Sequence, residues 1–167
     1  MSWVVPRQWV VNASPLIVLG KIGRLSLLPK LAVSLVVPSG VAEELAAGPE
    51  TDPARLWIAG QGKDHVRDVA EADPVIGRWD LGRGESQVLT WALHHPGHEA
   101  ILDDLAARRC AADLSIPVRG TLGIILLAKQ EGHVAAVAPV IAEIQRAGLH
   151  INPDLIAVLR RLAGEGE

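Results

Sequence analysis

Short apolar runs alternate along this chain with segments of helical spacing. Residues 9–12, 35–37, 65–69, 100–102 and 117–118 are rich in Val, Ile and Leu and read as strands, with 65–69 the weakest of them. These runs are apolar on consecutive positions instead of alternating with polar ones. A strand covered by helices on both faces has that pattern, so the expectation is an α/β fold with a mainly parallel sheet. Helices are predicted over 41–47, 53–59, 85–93, 105–113 and 121–130.

Three further helices are marked by their ends. Ser14-Pro15 offers a capping side chain followed by a proline suited to a first helical position. Asn152-Pro153 repeats that device, with Leu155, Ile156, Leu159 and Leu162 forming one apolar stripe and Gly164 placed for the stop. Pro139 opens another helix, with Val140, Ile141 and Ile144 on one face and Gly148 after it. No fixed-period repeat, low-complexity tract or long linker divides the sequence. The expectation is one domain over 1–167, with C-terminal helices from about 138–163 packed on it.

Composition narrows the class without naming a function. Half of the 167 residues are apolar and a fifth are charged, which describes a chain able to bury a core without disulfides or a structural metal. The single cysteine, Cys110, and the lack of an export leader point to a reducing, cytoplasmic compartment. No apolar stretch approaches the roughly 20 residues that a membrane crossing needs. The net charge of -3 gives no global attraction to nucleic acid, so such binding must come from a local basic patch. Five Trp with no Phe or Tyr leave few platforms for stacking bases.

The informative residues are acids that interrupt the hydrophobic pattern. Glu85, Val88, Leu89 and Ala92 share one helical face, so the carboxylate heads a buried stripe; a favourable place in the first turn is the simpler role. Glu44 shares a face with Val41 and Leu45, whereas Glu43 turns away, although an exposed acidic face would explain both. Asp103 and Asp104 follow directly on a predicted central strand, where open α/β sheets bind ligands. Capping the next helix accounts for one of that pair and leaves the other unexplained. Asn12 holds the equivalent place after the first strand.

Brought together, these groups form an oxygen-rich pocket without His or Cys, which suits Mg²⁺ or Mn²⁺ better than zinc and supports in-line attack on a phosphodiester. Arg83, Arg108, Arg109, Arg119 and Lys21 lie near the acids or strand ends in sequence and are candidates for phosphate contact, although most such side chains are solvated surface groups. His94, His95 and His98 follow a helix end without the acid spacing of a zinc hydrolase. The glycine turns 82–84 and 120–123 match neither a P-loop nor a dinucleotide fingerprint and read as tight helix entries. Thr121 either caps its helix, the favoured role, or lends a hydroxyl to the pocket, and Cys110 is expected to be a buried thiol.

Several segments in order carry a family likeness: Val11-Asn12-Ala13-Ser14-Pro15-Leu16-Ile17, Lys21-Ile22-Gly23-Arg24-Leu25 with Leu27-Leu28, and Val37-Pro38 leading to Glu43-Glu44-Leu45. Then come Leu81-Gly82-Arg83-Gly84-Glu85, Ile101-Leu102-Asp103-Asp104 with Ala107-Arg108, and Gly120-Thr121-Leu122-Gly123-Ile124 with Ala128-Lys129. Over nearly its whole length the chain resembles the PIN-domain superfamily, in a compact prokaryotic branch of nucleic-acid-binding proteins related to toxin ribonucleases of toxin–antitoxin pairs. The resemblance implies a three-layer α/β/α fold and three or four acids around one or two divalent cations, with single-stranded RNA as substrate. It assigns Asn12, Glu44, Glu85, Asp103 and Asp104 to the metal site and the four acids among them to catalysis. Ser14 matches a small hydroxyl residue of the family and, with the basic residues, is a candidate RNA contact. A small antitoxin and a second copy of the chain are the implied protein partners. The family's first acid is usually aspartate; Asn12 lacks that charge, so the alternative is a weak or silent module that binds RNA or a partner without cutting.

Overall fold

The computed structural model describes residues 6–69 and 71–166. The expectation of one domain over 1–167 therefore begins and ends outside the described residues. In chain order the elements are β1 (Gln8–Val11), α1 (Ala13–Lys21), α2 (Leu27–Leu31), β2 (Ser34–Pro38), α3 (Ser39–Ala46) and α4 (Pro53–Ala59). A 3-10 turn (Lys63–His65), β3 (Val66–Arg67), α5 (Pro74–Gly77), α6 (Arg83–His94), β4 (His98–Ile101) and α7 (Leu105–Asp113) follow. The chain then runs through β5 (Val118–Arg119), α8 (Thr121–Gln130), α9 (Val137–Arg146) and α10 (Pro153–Leu162).

All strand pairings are parallel, in the order β3-β2-β1-β4-β5, within a three-layer α/β/α fold. Parallel neighbours need long crossovers, and the helices between the strands supply them. Trp9, Val10 and Val11 of the central strand are fully buried, because helices cover the sheet from both sides. Burying Trp9 leaves an indole N–H to satisfy, and it donates to Glu99 Oε1 on β4 at 2.8 Å. The edge strands β3 and β5 have two residues each, which leaves little unpaired backbone for another chain to join.

The strand order places a topological switch point between β1 and β4. From β1 the chain winds outward through β2 and β3, then crosses back to β4 and continues to β5 on the other side. The two connections leave in opposite directions and open a crevice at the carboxyl ends of β1 and β4. The Asn12 N–H donates to Ile101 O at 3.1 Å, tying the two strand ends together.

Helices α1, α3, α6 and α9 each start two residues before the expected position, and α8 starts where expected but with a different cap. Asn12, not Ser14, is the N-cap residue of α1, so Pro15 falls at the third helical position, still within the first turn where no intrahelical N–H bond is lost. Likewise Pro139 lies in the third position of α9. Gly120 caps α8, and Thr121 is its first residue. At α10 the expectation holds: Asn152 accepts the Asp154 N–H at 2.8 Å with Pro153 beside it, and Gly164 adopts a positive φ of 74° after the end. Helices α2 and α5 were not expected; at five and four residues they are too short to show a helical period. Helix α8 packs on α9 and α10.

Candidate active site

The crevice gathers most of the candidate acids. Asn12 sits at the end of β1, only 5% exposed, and its Oδ1 is buried without a hydrogen-bond partner. Gly84, in the first turn of α6, explains how close the neighbours come. A Cβ there would lie 3.5 Å from Asn12 Oδ1 and 3.7 Å from Glu44 Oε2, so the missing side chain leaves room between the two oxygens. Glu44 reaches this space from α3 although most of its side chain is solvated, while Glu43 faces outward and pairs with Arg83. Both glutamates are exposed, and of the two only Glu44 lines the cavity that holds Asn12.

Glu85 is half-buried in the first turn of α6. Burial raises its carboxyl above the usual range, and the negative charges of Asp104 and Glu44 raise it further. Three acids from three separate elements therefore share one electrostatic environment. Asp104 has a second job: its carboxylate accepts the Ala107 N–H at 3.0 Å and caps α7. Asp103, the partner that capping left unexplained, turns toward α8. It accepts the Thr121 N–H at 2.8 Å and the Thr121 hydroxyl at 2.6 Å, with the Ser14 hydroxyl at 3.5 Å.

A cavity of about 260 Å³ is lined by Asn12, Ser14, Glu44, Gly84 and Glu85. A larger groove of about 700 Å³ adjoins it, with Ser14 and Leu149 on the wall of both, and takes in Asp103 and Arg108. Glu85 and Asp103 thus open on neighbouring hollows at the same end of the sheet. Among the described residues no three His, Cys, Asp or Glu side chains are drawn together tightly enough to enclose a metal ion.

The basic candidates divide. Arg108 lies in the groove, where one Nη donates weakly to Leu102 O at 3.4 Å. Arg83 lines the smaller cavity but is paired with Glu43. Arg119 is in the groove wall and donates to Glu99 at 3.0 Å. Lys21 ends α1 and Arg109 lies on α7, both exposed, and neither lines the two hollows.

One supporting residue, Gln87, is absent from the residues that the sequence singles out. Gln87 is almost fully buried on α6; its Oε1 accepts the Gly40 N–H at 2.6 Å and its Nε2 donates to Val69 O at 2.8 Å. This clamp fixes α6 against the start of α3, and so the separation of Glu85 from Glu44. A polar residue at the position before Val88 in a buried stripe was the available signal. Of the two roles weighed for Thr121, the cap falls to Gly120, and the Thr121 hydroxyl donates to Asp103. His94 pairs with Asp73, His95 stacks on Trp91, and Cys110 is fully buried, with burial raising its thiol pKa; none of them faces the crevice.

The chain belongs to the PIN-domain family, whose model matches residues 8–165. No curated protein matches it. The family is of nuclease type, acts on nucleic acid and generally uses divalent metal ions. Among the described residues no helix is long and apolar enough to cross a membrane.

Proposed function

We propose that this PIN domain is a metal-dependent endoribonuclease that hydrolyses phosphodiester bonds of single-stranded RNA. One observation carries the proposal: a buried, unpartnered Asn12 Oδ1 and the Glu44 carboxylate flank the same side-chain-free point above Gly84. An unpaired buried oxygen costs about 1–3 kcal/mol unless a ligand meets it. The oxygens around it are hard donors without thiolate or imidazole, a fit for Mg²⁺ or Mn²⁺. Asn12, Glu44, Glu85 and Asp104 are the residues that would hold the ion, with Asp103 beside them. Bound there, a divalent cation would supply Lewis-acid polarisation of a phosphoryl oxygen and acidification of water.

The chain's own residues do the rest. Glu85 and Asp104 set the negative field that the cation answers, and the Gln87 clamp keeps Glu85 at its distance from α3. Thr121 fixes Asp103 with two hydrogen bonds, so that carboxylate is presented in one orientation. Ser14 stands where the two hollows meet and offers a hydroxyl to an RNA strand. We read the working unit as one domain over 1–167, a cytoplasmic toxin restrained by a small antitoxin, with a homodimer as the assembly.

The test is cleavage of a fluorescent single-stranded RNA in Mn²⁺ and in chelator. Wild type cuts only with metal, and Glu85→Gln and Asp103→Asn each lower the rate at least a hundredfold. Cleavage that survives both substitutions rejects the acidic centre, and cleavage in excess chelator rejects the metal. Asn12 favours a second reading, a module that holds RNA without cutting, because an amide does not offset the cost of dehydrating the ion. Wild type that binds RNA but stays inert, while Asn12→Asp cuts, selects that reading. Growth arrest on expression, relieved by a product of the adjacent gene, tests the toxin assignment.

A further inference from the structure

The groove of about 700 Å³ beside the acidic cavity is larger than the metal chemistry requires. Its volume lies in the range of small-ligand sites, roughly 300–1,000 Å³, which spans a nucleotide. Its lining holds Arg108 together with an apolar wall built from Leu122 and Leu126 of α8 and Leu155 and Val158 of α10. Leu155 and Val158 remain 49% and 41% exposed, so α10 presents apolar surface to the groove instead of burying it.

Arg108 differs from the other basic residues near the crevice. Arg83 and Arg119 are each committed to a glutamate, whereas Arg108 forms no ion pair among the described residues. Guanidinium carries five N–H donors in a fork that matches phosphate. Gly120 is part of the arrangement, because a Cβ there would lie 2.7 Å from Arg108 Nη1 and 3.0 Å from Asp103 Oδ1. A side chain at position 120 would push apart the cation and the acid. The glycine keeps a phosphate-binding fork beside the proposed site of hydrolysis.

We propose that this groove is the subsite for the nucleotide flanking the cleaved bond: Arg108 takes its phosphate, and the α8–α10 wall takes its base. This rests on the ribonuclease reading of the adjoining acids. Continuity through Ser14 and Leu149 lets one strand run from one hollow to the other, and the uncommitted positive charge selects an anionic polymer as occupant.

The experiment measures equilibrium binding of a labelled single-stranded 12-mer RNA by anisotropy in chelator, across a salt series, for wild type, Arg108→Ala and Leu155→Glu. Both variants are expected to bind about tenfold more weakly. Arg108→Ala should also reduce the slope of log K against log salt by about 0.7, the signature of one lost phosphate contact on a single strand. Leu155→Glu, at an exposed position, should keep the wild-type melting temperature. Mn²⁺ binding by calorimetry should be unchanged in both, which separates this subsite from the acidic centre. Wild-type RNA affinity and salt slope in both variants overturn the subsite while leaving the nuclease reading standing. That is also the outcome if the groove serves a protein partner instead.

Discussion

Substituting Asn12 by aspartate tests the site through its electrostatics. Asn12 Oδ1 and Glu44 Oε2 lie 3.5 and 3.7 Å from a common point beside Gly84. They are therefore no more than about 7 Å apart, and at an effective dielectric of ~20 two unit negative charges at that distance repel by about 2 kcal/mol. Asn12 is also the N-cap residue of α1, where a negative charge recovers up to about 1 kcal/mol from the helix terminus. Burial of the new charge adds to the repulsion. The net expectation in chelator is a loss of about 1–2 kcal/mol, or a melting temperature lower by roughly 2–8 °C for a chain of this size. A divalent cation between the oxygens converts the same charge into attraction. Mn²⁺ should then bind at least about tenfold more tightly, worth ~1.4 kcal/mol, and should reverse the thermal deficit. Differential scanning calorimetry in EDTA and in MnCl₂, with titration calorimetry for the affinity, reads both effects. A melting temperature that does not move in EDTA, together with unchanged Mn²⁺ affinity, would show that position 12 does not face Glu44 across a cation site.

The remaining predictions concern neighbouring groups. Gly84→Ala places a methyl between the two oxygens, so the Mn²⁺-induced rise in melting temperature should vanish; in chelator, the 3.2 Å approach to the buried Val41 Cγ2 opposes alanine's helix preference, so stability should change by less than about 1 kcal/mol. Thr121→Val removes the hydroxyl bonded to Asp103 at 2.6 Å and should cost about 1.5–3 kcal/mol in urea unfolding, with a fall in RNA cleavage; Thr121→Ser should restore most of both. Far from the crevice, the Lys129 ammonium 2.7 Å away, with the N–H groups of Val137 and Ala138, holds the Glu165 carboxyl down at about 2. Because that value lies below the unfolded one, near 4.5, the stabilisation is complete above pH 4.5 and is lost as pH falls toward about 2. Glu165→Gln should therefore cost about 1–2 kcal/mol at pH 7, allowing for solvent screening, and close to nothing at pH 2, by denaturant unfolding at each pH.

The elements were legible where the chain carries long or well-punctuated signals. Helices α4, α7 and α8 fall on the residues that their periodicity marks out, and unbroken apolar runs foretold a parallel sheet covered on both faces. Helix starts were less legible at prolines, because proline is tolerated throughout the first turn and not only at its first residue, so Pro15 and Pro139 each misplaced a start by two positions. At the site, helical spacing puts Glu44 and Glu85 on the faces that carry Val41, Leu45, Val88 and Leu89, and both line the smaller cavity. The division of labour between Asp103 and Asp104 did not follow from spacing, since adjacent residues look alike until a partner for each is known. Gln87 was missed for a related reason: a polar residue before Val88 marks the position, but its two partners, Gly40 and Val69, come from elsewhere in the chain.

By itself, the order of residues determined the element types, the parallel sheet and the acids that stand at strand ends and helix starts, because each of these is a property of spacing within a few turns of chain. Only the tertiary structure decided which oxygens share a space. The return of the chain from β3 to β4 sets Asn12 beside Asp103 and Asp104, while helix packing through Gln87 and Gly40 brings Glu44 to Glu85. Such distances depend on the close approach of backbones at Gly84 and Gly120, a balance of contacts over the whole fold that no window of sequence contains.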